Sequence, residues 1–164
     1  SPPTSKLILR PDRGRIKHST MIAPEELRVG NYILVNGSIM KIGGFNIADK
    51  AAPLTIDRYQ GIRVGSVWYD FVCCDPILLT PEILKTLGFS DKVCNGLAYR
   101  LDHGDKMEFA YYVQDGYIRY QTKLSGFTLN FDQAVKNLHH FQNLYYFMTR
   151  QEIETHVFKQ TIQE

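Results

Sequence analysis

The chain has 164 residues, of which 44% are hydrophobic and 22% are charged, a composition typical of a folded soluble protein made of one domain or two small lobes. No apolar run approaches the roughly 20 residues that span a bilayer, which excludes a transmembrane helix. The three cysteines lack the spacing of a zinc site and their number is odd, so the chain is expected in a reducing cytoplasm without a disulfide framework.

The net charge of +2 hides an asymmetry between the N-terminal segment and the rest of the chain. Residues 1–20 have five cations against one acid, a net charge of +4, which leaves +2 minus +4, or −2, for the remainder. The segment also holds three of the seven prolines, which predicts an extended arm. Because Met21 looks like a natural translation start, the arm is either a native upstream extension or a vector-derived remnant. Its cations, suited to nucleic-acid phosphates or to a neighbouring protein, are Lys6, Arg10, Arg13, Arg15 and Lys17.

Residues 21–80 are predicted to form a small β-rich lobe. A helical turn at Pro24 precedes two strands, 31–35 and 38–43, which flank Asn36-Gly37, a strong signal for a type I′ hairpin. Further strands are expected at 54–58, 62–69 and 71–79. So many short antiparallel strands indicate an SH3-like barrel or a strongly curled antiparallel sheet.

Residues 81–164 are predicted to form a linking helix, a β-meander and C-terminal helices, in one compact unit with 21–80. Thr80 caps a helix over 81–87, which Gly88 ends. Four alternating strands follow, and an amphipathic helix over 132–148 is expected to cover the sheet. Thr149 begins a last helix. The fold class predicted from this order is α+β. The four strands are 97–102, 106–114, 117–123 and 127–131.

The chain offers several reactive residue types but no pattern that brings them together. His139 and His140 are adjacent on a helix, about 100° apart, whereas metal ligands on a helix stand three or four residues apart. Cys73 and Cys74 lie in an apolar strand, so one is expected in the core and the other at an edge. Acidic residues fall at turns and helix ends. The sequence therefore predicts no catalytic residue, no metal and no cofactor.

Exposed aromatic residues next to arginines suggest a binding surface instead. Such surfaces serve protein interfaces and single-stranded nucleic acids alike. The alternative, that Trp68 belongs to the core of the first lobe, stays open. On the outward face of the meander, a second patch suited to a partner would form if nothing covers it, although a solvated sheet face is the favoured interpretation. Its residues are Tyr112, Arg119, Gln121 and Lys123. The candidate surface on the first lobe comprises Arg58, Tyr59, Arg63, Trp68 and Tyr69.

Three stretches in a fixed order carry a resemblance to a protein family: 26–32 with its Asn-Gly hairpin, 77–89, and 139–147 with Thr149 and Glu152 after it. They resemble small proteins without established activity from Bacteroidota genomes and their phages and prophages. The resemblance implies a phage or mobile-element accessory protein that acts in a bacterial cytoplasm or within a phage particle. Arg150 stands where the family commonly has Gly, which predicts that the last two helices run on. The residues of the last motif, interpreted as structural, are His139, Gln142, Asn143 and Tyr145.

The function predicted from the sequence is a non-catalytic binding module whose partner is a protein. One alternative is a nucleic-acid-associated factor that uses the basic arm. Another is an enzyme with an unrecognised site.

Overall fold

A computed structural model describes residues 22–47, 59–93, 96–105, 107–124 and 127–153. The chain divides into two compact units, one up to Pro76 and one from Ile77. The longest helix of the described residues has 12 residues, and none has the length and apolar character needed to cross a membrane. The described ranges are mostly β, with three antiparallel sheets and two α-helices, so the predicted α+β class is wrong.

The described part of the first unit contains two separate three-stranded sheets. In order across the sheet, one consists of Ser38–Lys41, Tyr32–Val35 and Cys74–Asp75, and the other of Gly44–Ile47, Tyr59–Val64 and Val67–Asp70. Short 3-10 turns cover Pro24–Glu26 and Phe71–Cys73. Ile33, Ile42 and Ile62 lie at the centre of one apolar cluster. The strands are β1 (Tyr32–Val35), β2 (Ser38–Lys41), β3 (Gly44–Ile47), β4 (Tyr59–Val64), β5 (Val67–Asp70) and β6 (Cys74–Asp75).

The predicted Asn-Gly hairpin is confirmed. Asn36 and Gly37 have φ values of 51° and 85°, the two positive values that a type I′ turn requires, and β1 pairs with β2 on either side of them.

A corner at Ile42 and Gly43 separates the two sheets and accounts for the absence of a closed barrel among the described residues. The Ile42 amide donates to the carbonyl of Asn31 beside the first sheet (2.9 Å). The next amide, that of Gly43, donates to the carbonyl of Arg63 in the second sheet (2.7 Å). The chain therefore leaves one sheet for the other, and the predicted barrel-like lobe is replaced by two sheets.

Two other predicted strands of this unit differ from the structure. The predicted strand 62–69 is a hairpin of β4 and β5, because Gly65 adopts φ 60° and turns the chain between the paired residues Val64 and Val67. The predicted strand 71–79 begins as a 3-10 turn, in which the Asp70 carboxylate accepts a hydrogen bond from the Val72 amide (3.3 Å). The predicted strand 54–58 lies outside the described residues.

The described part of the second unit is a five-stranded meander with two helices, and strands that follow each other along the chain are neighbours in the sheet. The helix predicted after Thr80 is confirmed as α1 (Pro81–Thr86), and the Thr80 hydroxyl accepts a hydrogen bond from the Ile83 amide (3.2 Å). Residues 90–93 show no strong alternation, so the strand found there, β7 (Ser90–Val93), is not predicted from the sequence. The elements are α1 (Pro81–Thr86), β7 (Ser90–Val93), β8 (Ala98–His103), β9 (Met107–Tyr112), β10 (Tyr117–Leu124), β11 (Phe127–Ala134) and α2 (Leu138–Thr149).

The helix predicted over 132–148 begins six residues later than expected. Strand β11 (Phe127–Ala134) instead occupies the start of this range and pairs with β10 (Tyr117–Leu124) along its whole length without a register shift. The strand then gives way to a short bridge, in which the Leu138 amide donates to the carbonyl of Ile77 (2.7 Å) and the Leu79 amide to that of Lys136 (3.0 Å). Ladder pairing therefore overrides the helical spacing at the start of the predicted helix.

The prediction that the last two helices run on through Arg150 is also wrong. Arg150 adopts a left-handed conformation (φ 62°) and its amide donates to the Tyr146 carbonyl (2.8 Å), so α2 ends at Thr149. A left-handed residue at this position is the usual helix end, although glycine is the residue that adopts it without strain. The helix predicted from Thr149 onward is not formed over 150–153, and its remainder lies outside the described residues.

Replacing Arg150 with Gly is expected to stabilise the protein by up to about 1 kcal/mol, since the left-handed conformation costs roughly that much in a residue with a side chain. Thermal and urea unfolding of the two proteins would measure the difference. Arg150→Ala, which keeps the Cβ atom and removes the charge, is the control and should not be stabilised. A loss of stability in Arg150→Gly would contradict the assignment of this residue as the helix end.

Candidate functional site

The hairpin of β4 and β5 places Arg63 and Trp68 directly opposite each other. Directly paired residues of antiparallel strands point to the same face, and here that face is turned away from the apolar cluster. The neighbouring pair, Ile62 and Tyr69, points to the other face, where Tyr69 packs against the cluster. The indole of Trp68 is 51% exposed, so Trp68 is not a core residue.

Backbone carbonyls hold the guanidinium of Arg63 in place. Nη1 donates to the carbonyl of Gly65 (2.7 Å) and Nη2 to that of Gly43. The guanidinium carbon lies 6.0 Å from the centre of the Trp68 ring, within the range of a cation–π contact. A Cβ atom on Gly44 would lie 3.1 Å from the guanidinium nitrogens, so glycine at this position leaves room for the side chain.

The predicted surface is therefore divided. Arg63 and Trp68 share the outer face, while Tyr69 lies on the inner one. Arg58 and the side chain of Tyr59 lie outside the described residues, although the backbone of Tyr59 begins β4. The cations predicted to bind phosphates also lie outside them, namely Lys6, Arg10, Arg13, Arg15 and Lys17.

Two exposed valines near this hairpin were not predicted from the sequence, and Val67 pairs with Val64, so it lies on the inner face and not beside Trp68. Val67, at the tip of the hairpin, is 50% exposed, and Val72, in the 3-10 turn after β5, is 80% exposed. A hydrophobic residue in a predicted strand is expected to be buried, and its hydrophobicity does not show that the strand ends in a turn beside it. The signal that could have located the turn is Gly65-Ser66, a two-residue hairpin loop.

The outer face of the meander in the second unit is polar and its charges are paired. Arg119 binds both carboxylate oxygens of Asp132 (2.8 and 3.1 Å), and its guanidinium lies over the ring of Tyr112 (5.9 Å). The hydrogen bond from Arg119 lowers the pKa of Asp132, and the same pairing raises the pKa of Arg119. The rings of Tyr112 and Tyr117 stack at 4.6 Å.

A shallow cavity of about 250 Å³ lies on the same outer face. Arg100 contacts the carboxylates of both Asp102 (3.0 Å) and Glu108 (3.3 Å). These contacts raise the pKa of Arg100, and the largest contribution is the hydrogen bond that Arg100 donates to Asp102. The two acids therefore share one cation instead of converging on open space. The residues that line the cavity are Arg100, Asp102, Gly104, Asp105, Met107, Glu108 and Gln121.

The residues of the last family motif lie on α2 and are largely internal. His139 and Gln142 are buried, and Tyr145 is nearly so. The Tyr145 hydroxyl is 2.9 Å from Nδ1 of His103, which connects α2 to the end of β8. Asn143 is half-buried. The structural role assigned to the motif from the sequence stays a prediction.

The adjacent cysteines differ in burial. Cys74, the first residue of β6, is buried, and Cys73, the last residue of the preceding 3-10 turn, is half-buried. Burial, followed by the nearby Cys73, Asp75 and Asp70, raises the pKa of the Cys74 thiol from 9.0 to about 12. The thiol is therefore protonated, and a poor nucleophile, at neutral pH.

The raised pKa of Cys74 predicts a loss of stability at alkaline pH. The unfolded chain releases the thiol proton near pH 9 and the folded chain near pH 12. The contribution of this thiol to the free energy of unfolding is therefore fully present below pH 9 and is lost as the pH rises from 9 to 12. Cys74→Ala should flatten this part of the stability–pH profile, as measured by urea unfolding. Cys73→Ala serves as the control, and an equal effect of both substitutions would contradict the assignment to Cys74.

Comparisons with known protein families, with curated proteins and with solved structures found no match to this chain.

Proposed function

We propose that the protein is a non-catalytic binding module whose partner is another protein, and that the β4–β5 hairpin makes the contact. The observation that carries this proposal is the half-exposed indole of Trp68 beside an arginine already fixed by backbone carbonyls. Tryptophan and arginine are the residues most enriched among those that dominate protein interfaces. An arginine that is held before binding loses little conformational freedom when a partner arrives.

The charge of this surface favours a protein over a nucleic acid. Gly61 is paired with Asp70, two residues from the Arg63–Trp68 pair, so Asp70 lies on the same face as the arginine. One cation and one exposed carboxylate give no net positive charge, whereas binding to nucleic acids depends on cations that neutralise phosphates. The half-exposed side chain of Trp68 gives this face apolar area suited to a protein surface.

The engagement of the acidic groups in the second unit supports a non-catalytic role. Asp102 and Glu108 line the cavity, but both contact Arg100. Acid–base catalysis by a pair of carboxylates requires different proton affinities and access to a substrate. Here both carboxylates instead have the same arginine as an ion-pair partner.

The family resemblance supports a biological setting for this function. We place the protein among accessory proteins of phages or mobile elements in Bacteroidota, acting in the bacterial cytoplasm or within a phage particle. The partner is then a host or phage protein.

Substituting Trp68 with Ala should reduce partner binding at least tenfold, since truncating a dominant interface residue costs about 2 kcal/mol or more. Quantitative affinity purification from a Bacteroidota host lysate would compare the wild-type chain with Trp68→Ala, followed by calorimetry with the recovered protein. Phe147→Ala is the matched control, because Phe147 is an exposed aromatic residue (72%) in the other unit. Equal binding by all three chains would refute the assignment of the hairpin as the interface.

A nucleic-acid-associated factor is the second candidate, favoured by the net charge of +4 in residues 1–20. If its five cations all contact single-stranded phosphates, affinity should fall by about 100-fold between roughly 50 and 200 mM salt. Fluorescence anisotropy with labelled single- and double-stranded DNA and RNA would compare the full chain with residues 21–164. Binding that is salt-sensitive and lost with the arm would favour this function, whereas no binding by either chain would remove it.

A further inference from the structure

Strand β11 forms one end of the five-stranded sheet and is the longest terminal strand of the described sheets. It has eight residues, whereas the other terminal strands have two to four. The open side of a terminal strand presents unpaired backbone amides and carbonyls, which can pair with another strand.

The direction of these backbone groups follows from the pairing with β10. The Val135 amide donates to the Gly116 carbonyl (3.1 Å), which identifies this position as a hydrogen-bonded pair just beyond the ends of the two strands. Hydrogen-bonded and non-hydrogen-bonded pairs alternate along an antiparallel ladder. The odd-numbered residues of β11 therefore bond to β10, and Thr128, Asn130 and Asp132 direct their amides and carbonyls to the open side. All three are exposed.

Strand β11 lacks the features that usually protect such an edge. It contains no lysine, arginine or proline, and its pairing with β10 has no bulge. Its one charged residue, Asp132, is neutralised by Arg119 of its own sheet. An edge without repulsive charge or irregular geometry permits association.

The inner face of the sheet is also incompletely covered next to this edge. The aromatic residues of α2 reach Phe109 in β9, whereas Phe131 in β11 stacks on Tyr120 (5.2 Å) and is 44% exposed. Leu129 lies two residues from Phe131 and therefore on the same face. The open edge is accordingly flanked by apolar side chains.

We propose that a second copy of this chain pairs antiparallel along β11, with the two-fold axis at Asn130. In this register Asn130 lies opposite Asn130 of the second copy, Leu129 opposite Phe131, and Thr128 opposite Asp132. The outward-directed residues form the hydrogen-bonded pairs, the apolar residues meet on the inner face, and each threonine hydroxyl meets a carboxylate. A register centred on Phe131 would instead place Leu129 opposite Gln133. The sequence of β11 thus complements itself best about Asn130.

The expected strength of the dimer follows from the size of the edge. In this register residues 127–133 of the two copies overlap. Seven residues at about 3.4 Å each give a length of roughly 24 Å, and a sheet about 10 Å thick gives on the order of 240 Å² per copy. A stable standard interface buries about 800 Å² per partner. The dimer is therefore weak and depends on protein concentration.

Sedimentation velocity of the full chain, from roughly 10 µM to 1 mM, tests the proposal, since small interfaces associate in this range. The average mass should rise toward twice that of the monomer. Asn130→Pro should stay monomeric, because proline removes the outward amide of residue 130 but no bond to β10. Asn130→Thr, which keeps the amide, is the matched control and should dimerise. A wild-type chain that stays monomeric throughout, or an Asn130→Pro variant that is folded and still dimeric, would overturn the proposal.

Disulfide trapping provides a second test, which holds even if the proline variant fails to fold. Two Cys residues at position 130 would lie directly opposite each other, with Cα atoms about 5.5 Å apart, a distance that a disulfide spans. Two Cys residues at position 128 would be displaced by four residues, or roughly 14 Å, and could not join. Under mild oxidation Asn130→Cys should therefore form covalent dimers above the wild-type background, and Thr128→Cys should not. Equal trapping at both positions, or trapping at neither, would refute the pairing about Asn130.

Discussion

The second unit depends on the aromatic contact between α2 and the inner face of its sheet. The ring of Phe141 lies edge-on to Phe89 (5.4 Å) and Phe109 (5.8 Å), and Tyr145, one turn later, lies 5.5 Å from Phe109. All of these rings are buried or nearly so, which makes them the largest source of apolar stabilisation in the unit. Because α2 has only 12 residues and sits over β8 and β9, it cannot also cover β11.

This partial coverage gives the sheet two different ends. Near α2 the inner-face residues Phe109 and Tyr111 are buried, whereas Phe131 in β11 remains 44% exposed. The outer face shows the opposite character, since Arg100 and Arg119 are each held by carboxylates of neighbouring strands or of their own strand. Exposed ion pairs of this kind contribute little to stability. They do keep the outer face polar, so the apolar edge at β11 is the part of this sheet most suited to association.

In the first unit, the turn that separates the sheets also shapes the proposed binding surface. The amide of Gly43 donates to the backbone carbonyl of Arg63, and the side chain of Arg63 donates back to the carbonyl of Gly43. The absence of a side chain on Gly44 leaves space for the guanidinium. The corner thus fixes the arginine beside Trp68 before any partner binds, which lowers the entropic cost of binding.

Local chemistry in the sequence was sufficient to predict several elements. Asn36-Gly37 specified a type I′ turn through its positive φ angles, and Thr80 with Pro81 and Gly88 specified the bounds of α1. Alternation located β9 and β10, because side chains of a strand alternate between faces wherever one face is buried. The sequence also identified Arg63 and Trp68 as candidates for a surface, although it could not separate them from Tyr69.

Tertiary structure decided the features that depend on distant residues. Whether 132–134 continues a strand or begins a helix depends on eight ladder pairs with β10, whose combined hydrogen bonds outweigh the helical spacing of a few apolar residues. Whether the strands of the first unit close into a barrel depends on which strands the amides of Ile42 and Gly43 bond to. No short sequence pattern predicts these partners. Arg150 likewise adopts the left-handed conformation because α2 ends there, although residues with a side chain disfavour this conformation. The sequence therefore determined turns, caps and alternation, whereas long-range pairing determined the sheets and the surfaces that they expose.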